Sequence, residues 1–197
     1  MSIGSDGSQD DTPFDSSGLL LTSVKTLADL DNVEFQHISK VYLKYLAARP
    51  TARQAPFTYA WLLLLHKEMF GKVWGWAGEI RLTEKTIGIA PEKIPEQLGS
   101  LVMDIEHWSD NDQLFNATTI HHRAVQIHPF ENGNGRWARL LANIWLARTG
   151  CPVVEWPEAE FKGNVHPLRA AYVDALRQAD NYNIGPLLEL HKRYCLS

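Results

Sequence analysis

Cysteine and positive charge are both scarce in this chain, and each scarcity excludes a class of protein. Cys151 and Cys195 are the two cysteines, which excludes a disulfide-rich scaffold, and they lack the paired spacing of a zinc site. They could form one disulfide, but reduced thiols are the expectation for a cytoplasmic protein. Lys and Arg total 19 against 23 Asp and Glu, a net charge of −4. No direct nucleic-acid partner is therefore expected.

Long apolar runs are also missing. An apolar run such as 61–65 is far shorter than the roughly 20 residues that cross a bilayer. Residues 1–17 are polar and acidic, and they lack the apolar centre of a signal peptide. We therefore expect a cytoplasmic protein without a membrane partner.

The composition that remains is typical of a folded domain. Hydrophobic residues make up 45% and charged residues 21% of the 197 positions, both ordinary for a globular protein whose length suits one core. Ser, Asp and Gly dominate residues 1–18, which we predict to be a flexible segment. No repeat or long linker interrupts the rest, so 19–197 is predicted to form a single domain.

The spacing of apolar residues predicts an almost entirely helical chain. The clearest pattern is in 91–110, where Ile94, Leu98, Leu101 and Ile105 recur at steps of three and four. Capping and stop residues bound the other segments. Helices are predicted from 31 or 32 to about 48, over 57–70, 91–110, 117–127 and 136–148, through 168–176, and over 185–194.

One short run, 128–139, combines a histidine, a glycine-rich turn and two arginines, and each part suits a bound phosphate chain. The glycines let the backbone approach an anion, and the helix that follows directs its free N–H groups and dipole at the turn. Arg136 and Arg139 share one helix face, and their planar forks match phosphate oxygens. His128 has a side chain whose pKa suits a general base.

Each part of this run also has an ordinary interpretation. Gly-Asn-Gly is a common turn, a His before Pro is usually a loop residue, and arginines at helical spacing usually face solvent. Only the ordered set favours a phosphate site. Other chemically suggestive residues have structural interpretations: His66 and Trp74 are predicted to pack in the core, and His121 and His122 lack the spacing of a metal site.

The run 128–139 resembles the signature of the Fic/Doc family, His-Pro-Phe-x-(Asp/Glu)-Gly-Asn-Gly-Arg-x-x-Arg. The likeness extends upstream through 66–70 and 73–81, the segment that leads into that family's flap, so that motifs cover roughly 57–150. The overall layout also resembles a bacterial branch known as mobile mystery protein B. The resemblance implies an all-α fold, a Fic-type helical bundle with a short β-hairpin flap beside the active site.

The resemblance implies a protein adenylyltransferase, which transfers AMP from ATP, its co-substrate, to a Ser, Thr or Tyr hydroxyl of a target protein and releases pyrophosphate. His128 would be the catalytic base, and Phe130 would anchor the loop in the core. Arg136 would hold the β-phosphate and Arg139 the γ-phosphate. The nucleotide-binding residues carried over from the family are Gly133, Asn134, Gly135, Arg136 and Arg139.

Residues 81–90 depart from the helical pattern. Their threonines and isoleucines favour extended backbone, and Gly88 interrupts it, so a short hairpin or extended flap is predicted, with an ordinary loop as the alternative. By resemblance this is the flap whose edge pairs with the target segment by strand addition. The target-docking residues are Thr86, Ile87, Gly88 and Ile89.

The sequence departs from the family at the metal position. The family has Asp or Glu before Gly-Asn-Gly to bind Mg²⁺, whereas this chain has Asn132 there and Glu131 one place earlier. Asn offers a carbonyl oxygen without the charge, and Glu131 could substitute if the loop turns it inward. Mg²⁺ is still expected as the cofactor, with Asn132 and Glu131 as its candidate ligands.

The resemblance also bears on regulation. Many relatives carry an inhibitory helix, Ser/Thr-x-x-x-Glu-Gly/Asn, whose Glu pairs with the second arginine, here Arg139. No Glu in this chain has Ser or Thr four residues earlier. The chain is therefore expected to be a toxin-like module whose inhibitory Glu comes from a separate antitoxin-like chain, unless control differs. The alternatives are a phosphotransferase or another nucleotidyl transferase on the same fold, and a nucleotide-binding module without turnover.

Overall fold

The computed structural model describes residues 16–108, 112–161 and 166–196, and in these ranges the chain forms seven α-helices. Two short 3-10 turns, Pro91–Lys93 and Glu158–Phe161, precede the third and the sixth helix. The helices are α1 (Leu27–Leu46), α2 (Tyr59–Phe70), α3 (Ile94–His107), α4 (Gln113–Ile127), α5 (Asn134–Thr149), α6 (Pro167–Asp180) and α7 (Gly185–Tyr194). The predicted all-helical fold is confirmed.

Helix α5 is the centre of the fold. Every residue from Trp137 to Leu146 is buried, which is typical of a helix enclosed on all sides. Helix α4 packs along it, α1 and α2 cover further sides, and α6 and α7 pack on each other and on α4. The N-terminus of α5 is therefore held in a fixed position.

Helix α1 begins earlier than the sequence predicted. It starts at Leu27 rather than at 31 or 32, because Thr26 and Asp29 form a capping box. The Thr26 hydroxyl accepts from the N–H of Asp29 at 3.1 Å, and the Asp29 carboxylate accepts from the N–H of Thr26 at 3.0 Å. A signature of Thr followed by Asp three residues later was present in the sequence.

Two more helices start early for reasons that lie in their caps. Helix α4 begins four residues before the predicted 117, because the Asp112 carboxylate accepts from the N–H of Phe115 at 2.9 Å. Helix α5 begins at Asn134 rather than at 136, because Gly133 turns left-handed with φ 79°. Helix α7 begins and ends as predicted, and the predicted residues 109–110 of α3 lie outside the described ranges.

The predicted β-hairpin flap does not form. Residues 81–90 contain no strand, and in the described ranges their backbone N–H groups from 82 to 90 donate to no backbone carbonyl. The guanidinium of Arg81 instead donates to the carbonyls of Thr83 and Ile89, both at 2.6 Å. One buried side chain thus joins the two limbs that a strand ladder would have joined.

The N-terminal prediction falls mostly outside the described residues, since the structure describes the chain from residue 16 onward. Gly18 already packs on the body of the protein, where its carbonyl accepts from the N–H of Gly75 at 2.8 Å. The division into 1–18 and a single domain over 19–197 stays a prediction. Among the described helices, none is both long and apolar enough to cross a membrane.

Candidate functional site

His128 ends α4 in the left-handed conformation, with φ 51° and ψ 59°. Such a backbone is strained for a residue with a Cβ, so it has to be held by its surroundings. Its N–H donates to the carbonyl of Ala124 at 3.2 Å, and its carbonyl accepts from Nε of Arg81 at 2.6 Å. Pro129 follows and disfavours a helical conformation at the preceding residue. These contacts end the helix and lead the chain into the glycine-rich loop.

The imidazole of His128 is a neutral ring at physiological pH. Burial, together with the cations of Arg81 and Lys85, lowers the pKa of His128 to about 4, and the carbonyl of Val125 opposes the shift. The Nδ1 atom is buried, which leaves Nε2 as the candidate nitrogen to accept a substrate proton. The ring therefore has the protonation state that a general base needs.

The loop between α4 and α5 is closed by Asn134. The side-chain oxygen of Asn134 accepts from the N–H of Phe130 at 2.9 Å, and its amide donates back to the carbonyl of Phe130 at 2.8 Å. Phe130 is fully buried, which confirms its predicted role as the core anchor. Asn134 is 2% exposed and both polar atoms serve the loop, so its contact with the nucleotide stays a prediction.

His66 joins α2 to the same loop. Its Nδ1 accepts from the N–H of Gly78 and its Nε2 donates to the carbonyl of Asn132, each at 3.0 Å. The ring stacks on Phe130 with centroids 3.7 Å apart. Burial lowers the pKa of His66 to about 3, so the ring stays neutral. The predicted core role of His66 is confirmed.

The N-terminus of α5 presents an anion-binding surface. The first N–H groups of a helix have no partner within it, and no side chain caps α5. Gly133 precedes them with φ 79°, and a Cβ on it would lie 2.6 Å from Cζ of Phe70. A glycine is therefore required by both conformation and space. A Cβ on Gly135 would lie 3.3 Å from Nη1 of Arg139, so the second glycine also keeps the backbone close to an arginine.

Arg136 is paired with a carboxylate that the sequence analysis did not identify. Its Nη1 donates to Glu34 of α1 at 2.5 Å, and Nε1 of Trp74 donates to the other Glu34 oxygen at 2.6 Å. The Glu34 side chain is 6% exposed and the Arg136 side chain 31%. The guanidinium also lies 4.8 Å from the centroid of the Phe70 ring. Glu34 and Phe70 thus hold one side of the Arg136 guanidinium, while part of the group stays exposed to solvent.

Arg139 is engaged more completely. Its Nε and Nη2 donate to the two oxygens of Glu158 at 2.7 and 2.5 Å, a bidentate pair. The Arg139 side chain is 5% exposed, and its guanidinium lies 4.7 Å from the ring centroid of Phe161. Arg139 is the arginine predicted to hold the γ-phosphate, and here a carboxylate of the same chain, Glu158, binds it instead. In this state Arg139 is not open to a ligand along that edge.

The two candidate metal ligands serve other partners. Glu131 accepts from the Thr83 hydroxyl at 3.0 Å and forms an ion pair with Lys85. The side-chain oxygen of Asn132 accepts from the N–H of Gly133 at 2.6 Å. Mg²⁺ prefers free carboxylate oxygens, whereas the nearest carboxylate already has an ammonium partner. As the side chains stand, this pair does not fit a Mg²⁺ site, and both metal assignments stay predictions.

Of the predicted docking residues, Gly88 lies against His128. Gly88 has φ 110°, and a Cβ on it would lie 2.6 Å from Cβ of His128. Thr86 and Ile87 are exposed beside it, and Ile89 is half-buried. The segment 81–90 is therefore a flap in position, although it is not a hairpin. Target docking by these residues stays a prediction.

The structure brings the histidine, the loop, both arginines and the flap into one site, and three residues that complete it were missed. Glu34 carries a weak sequence signal, since it falls among the buried positions of α1 with Leu30 and Val41. Arg81 is marked only as the last residue of the segment 73–81 that resembles the family, and Glu158 carries no signal, because nothing nearby in sequence marks the partner that it meets. Each reaches the site from a separate segment of the chain.

A second histidine cluster lies behind the site, where the centroid of its Tyr172 ring is 5.6 Å from the guanidinium of Arg139. His121 bonds through Nδ1 to His191 at 2.9 Å and through Nε2 to the hydroxyl of Tyr172 at 2.8 Å. His122 contacts the carboxylate of Asp180 at 2.9 Å. These contacts tie α4 to α6 and α7, so the histidines serve the packing of the bundle.

The chain matches known proteins over the segment that contains the site. Residues 56–146 match the Fic/DOC family. The "Protein adenylyltransferase fic-1" of Caenorhabditis briggsae is 38% identical over 99 residues, 46% of this chain and 20% of the relative. The "Protein adenylyltransferase Fic" of Drosophila grimshawi is 31% identical over 153 residues, 74% of this chain and 30% of the relative. The chain thus spans less than a third of the length of these two curated relatives.

Solved structures share the fold. Fic-1 of C. elegans superposes with a TM-score of 0.66 and 25% identity, over 90% of this chain and 51% of that one. The BepC effector of Bartonella tribocorum, solved with bound AMPPNP, has a TM-score of 0.68 and 18% identity, over 92% of this chain and 97% of that one. At that identity the second likeness concerns the fold alone.

Proposed function

We propose that this chain, whose residues 56–146 match the Fic/DOC family, is a protein adenylyltransferase, which moves AMP from ATP to a hydroxyl of a target protein. The observation that carries the proposal is the arrangement of a neutral His128 beside the uncapped N-terminus of α5. A base for the hydroxyl and a cradle for phosphates then meet in one loop. The adenylyltransferase names of the curated relatives support the same activity.

In the proposed reaction, Nε2 of His128 accepts the hydroxyl proton of the target. The target oxygen forms a bond to the α-phosphorus of ATP, the bond from that phosphorus to the bridging oxygen breaks, and pyrophosphate leaves. The backbone N–H groups of residues 134 and 135 and the guanidinium groups of Arg136 and Arg139 neutralise the phosphate oxygens. Since such chemistry depends mainly on placement, the closed loop at Asn134 contributes by holding these donors in position.

The flap is the proposed docking site for the target. The backbone of 82–90 keeps its N–H groups free of backbone partners, and Leu82 and Ile87 are 90% and 56% exposed. An extended target segment could pair with this backbone and rest on the two apolar side chains. Contact between Gly88 and His128 would then bring the target hydroxyl to the base.

Regulation from within the chain is favoured over a separate inhibitor. Glu158 already occupies Arg139 in a bidentate pair, so no outside carboxylate is needed to block that position. A toxin-like role with a separate antitoxin-like chain, the bacterial branch, the cytoplasmic location and the requirement for Mg²⁺ stay predictions from the sequence.

A non-catalytic nucleotide-binding module is the second candidate. Both arginines are in ion pairs and Glu131 is bonded to the flap, which favours a protein that holds nucleotide without turnover. A phosphotransferase is less favoured, because Gly135 keeps the second glycine that resembles the nucleotidyl-transferring members of the family.

Intact-protein mass spectrometry tests these candidates. The purified protein is incubated with ATP and Mg²⁺, alone and with bacterial lysate, beside His128→Ala and the control His107→Ala, which removes an exposed histidine of α3. A mass gain of one AMP that His128→Ala abolishes and His107→Ala keeps supports the transferase. A gain of one phosphate indicates kinase-like chemistry. Binding of ATP without any gain with ATP, GTP, UTP or CTP supports the binding module, and an EDTA arm tests the need for Mg²⁺.

A further inference from the structure

Arg81 makes an unusual set of contacts beneath the flap. Its three guanidinium nitrogens donate to three backbone carbonyls, Nε to His128, Nη1 to Thr83 and Nη2 to Ile89, each at 2.6 Å. Its own N–H donates to the carbonyl of Pro129 at 2.9 Å. One residue thus connects the start of the flap, the end of the flap and the catalytic turn.

The charge of Arg81 has no carboxylate partner in the described part of the chain. The side chain is buried, at 3% exposure, and the nearby Glu131 pairs with Lys85 instead. An unpaired buried cation is expensive to keep unless its donors are all used. Here each edge of the planar fork meets a carbonyl, an arrangement that a lysine ammonium cannot reproduce.

The flap rests on both Arg81 and the catalytic histidine. A Cβ on Gly88 would lie 2.6 Å from Cβ of His128 and 2.8 Å from Nη2 of Arg81. No strand ladder holds residues 81–90, and Glu131 reaches only Thr83 and Lys85 in the first half of the flap. The placement of the second half over His128 therefore depends on the guanidinium. The left-handed backbone of His128 depends on it as well, through the bond to its carbonyl.

We propose that Arg81 is the positioning residue of this site, which fixes the flap over His128 and orients the histidine toward the hydroxyl of the docked target. The effect of Arg81 on AMP transfer rests on the proposed adenylyltransferase function, whereas its effect on the placement of the flap does not. All three guanidinium nitrogens of Arg81 donate to carbonyls of the chain, so Arg81 is assigned no phosphate contact. Replacing Arg81 is therefore expected to impair target docking and AMP transfer while ATP binding is kept.

The test compares Arg81→Lys and Arg81→Ala with Arg148→Ala. Arg148 is a matched control, because it also donates to a backbone carbonyl, that of Ala55 at 2.8 Å, but in a distant part of the fold. Hydrogen exchange of 82–90, ATP affinity by calorimetry and AMP transfer by mass spectrometry are measured on each. Both Arg81 variants are expected to exchange faster in 82–90, to bind ATP as the wild type does, and to transfer AMP about a hundredfold more slowly. Arg148→Ala is expected to keep all three.

Chemical rescue distinguishes positioning from a general structural defect. Guanidinium ion added below denaturing concentration is expected to restore transfer and slow exchange in Arg81→Ala, whereas ammonium at the same ionic strength is not. Unchanged exchange in 82–90 for both variants, or a loss of ATP binding as large as the loss of transfer, would overturn the proposal. If the wild type itself transfers no AMP, the proposed function fails, and the exchange and rescue measurements still decide whether Arg81 holds the flap.

Discussion

Glu158 accepts hydrogen bonds from both Nε and Nη2 of Arg139, at 2.7 and 2.5 Å. Glu158 comes from the 3-10 turn before α6, and Arg139 from the central helix α5. The carboxylate therefore covers one full edge of the fork that is expected to receive the γ-phosphate. A triphosphate that approaches along this edge has to displace it, because the fork binds one bidentate anion there.

Replacing Glu158 with Gln is expected to increase ATP affinity and AMP transfer. The substitution keeps the shape of the side chain and removes the competing charge. A hydrogen bond to a charged group contributes about 1.5–3 kcal/mol, so ATP affinity is expected to rise roughly tenfold. Calorimetry and intact-protein mass spectrometry measure the two effects. Glu160→Gln, which changes an exposed carboxylate of the same turn, is the matched control and should behave as the wild type.

The same variant leaves Arg139 buried without its counter-ion. Its Tm is expected to fall without ATP and to recover with ATP, because a phosphate replaces the lost carboxylate. A Glu158→Gln protein that bound ATP no better and transferred less would show that Glu158 orients Arg139 for the reaction and does not block it.

The sequence predicted the parts of the site that are local. The motif at 128–139 identified the loop, the base and the helix that follows, because a left-handed glycine and an uncapped helix end are properties of neighbouring residues. Helix positions followed from apolar periodicity, and α7 was predicted to the residue. Helix α1 was misplaced only because the Thr26 capping box was overlooked.

The parts that could not be predicted depend on contacts between distant segments. Glu34 meets Arg136 across 102 positions of the chain, and Arg81 meets His128 across 47. The flap shows the same limit. Its β-branched residues favour a hairpin, but the guanidinium of Arg81 binds the carbonyls of Thr83 and Ile89 within the segment and that of His128 outside it. Tertiary structure thus overrides the local preference.

The pH dependence of transfer is expected to report the pKa of His128. A general base works only when neutral, so the rate is lost as pH falls through the pKa of the ring, about 4 in the folded protein. At saturating ATP, kcat/KM for the target is expected to be flat between about pH 6 and 8, whereas an ordinary histidine near 6.5 would already lose activity there. A midpoint near 6.5 in the wild type would contradict the buried, neutral ring.

Lys85→Met provides the internal comparison for this profile. Removing the Lys85 cation is expected to raise the pKa of His128 and to move the acid limb to higher pH. The shift should be small, because burial is the leading cause of the low pKa and remains in place. Lys93→Met, an exposed lysine outside the flap, should leave the profile unchanged and controls for the ionisation of ATP itself.

Stability is expected to fall in mild acid because of three other buried histidines. Burial lowers the pKa of His66 and of His191 to about 3, and burial with the neighbouring His191 and Arg139 lowers that of His121. The unfolded chain takes up these protons near pH 6.5 and the folded chain does not, so the free energy of unfolding rises with pH between the two values. At pH 5, His66 and His191 each destabilise the fold by about 2 kcal/mol, and His121 adds to the effect in the same direction.

Urea unfolding at pH 8, 7, 6 and 5 measures this effect. His191→Gln keeps a polar atom near Nε2, the nitrogen that contacts His121, and should reduce the slope of stability against pH. The exposed histidine changed in His107→Gln has no such role, so that variant should keep the full slope. Equal stability of the wild type at pH 7 and pH 5 would show that these rings are not held neutral by the fold.

Gly133→Ala is expected to destabilise the protein and to abolish transfer, because the site needs a residue without a Cβ there. The backbone φ is 79°, and the new methyl group would lie 2.6 Å from Cζ of the buried Phe70 ring. Left-handed strain of about 1–2 kcal/mol and overpacking of about 1–3 kcal/mol together lower Tm by roughly 5–15 °C. The control is Gly99→Ala in α3, where the Cβ meets nothing within 4 Å and helix propensity favours Ala by about 1 kcal/mol. Scanning calorimetry is expected to show a lower Tm for the first variant and an unchanged or higher Tm for the second. Equal effects of the two substitutions would mean that the turn before α5 tolerates a side chain, and that the N-terminus of α5 is not the close-fitting anion cradle proposed for it.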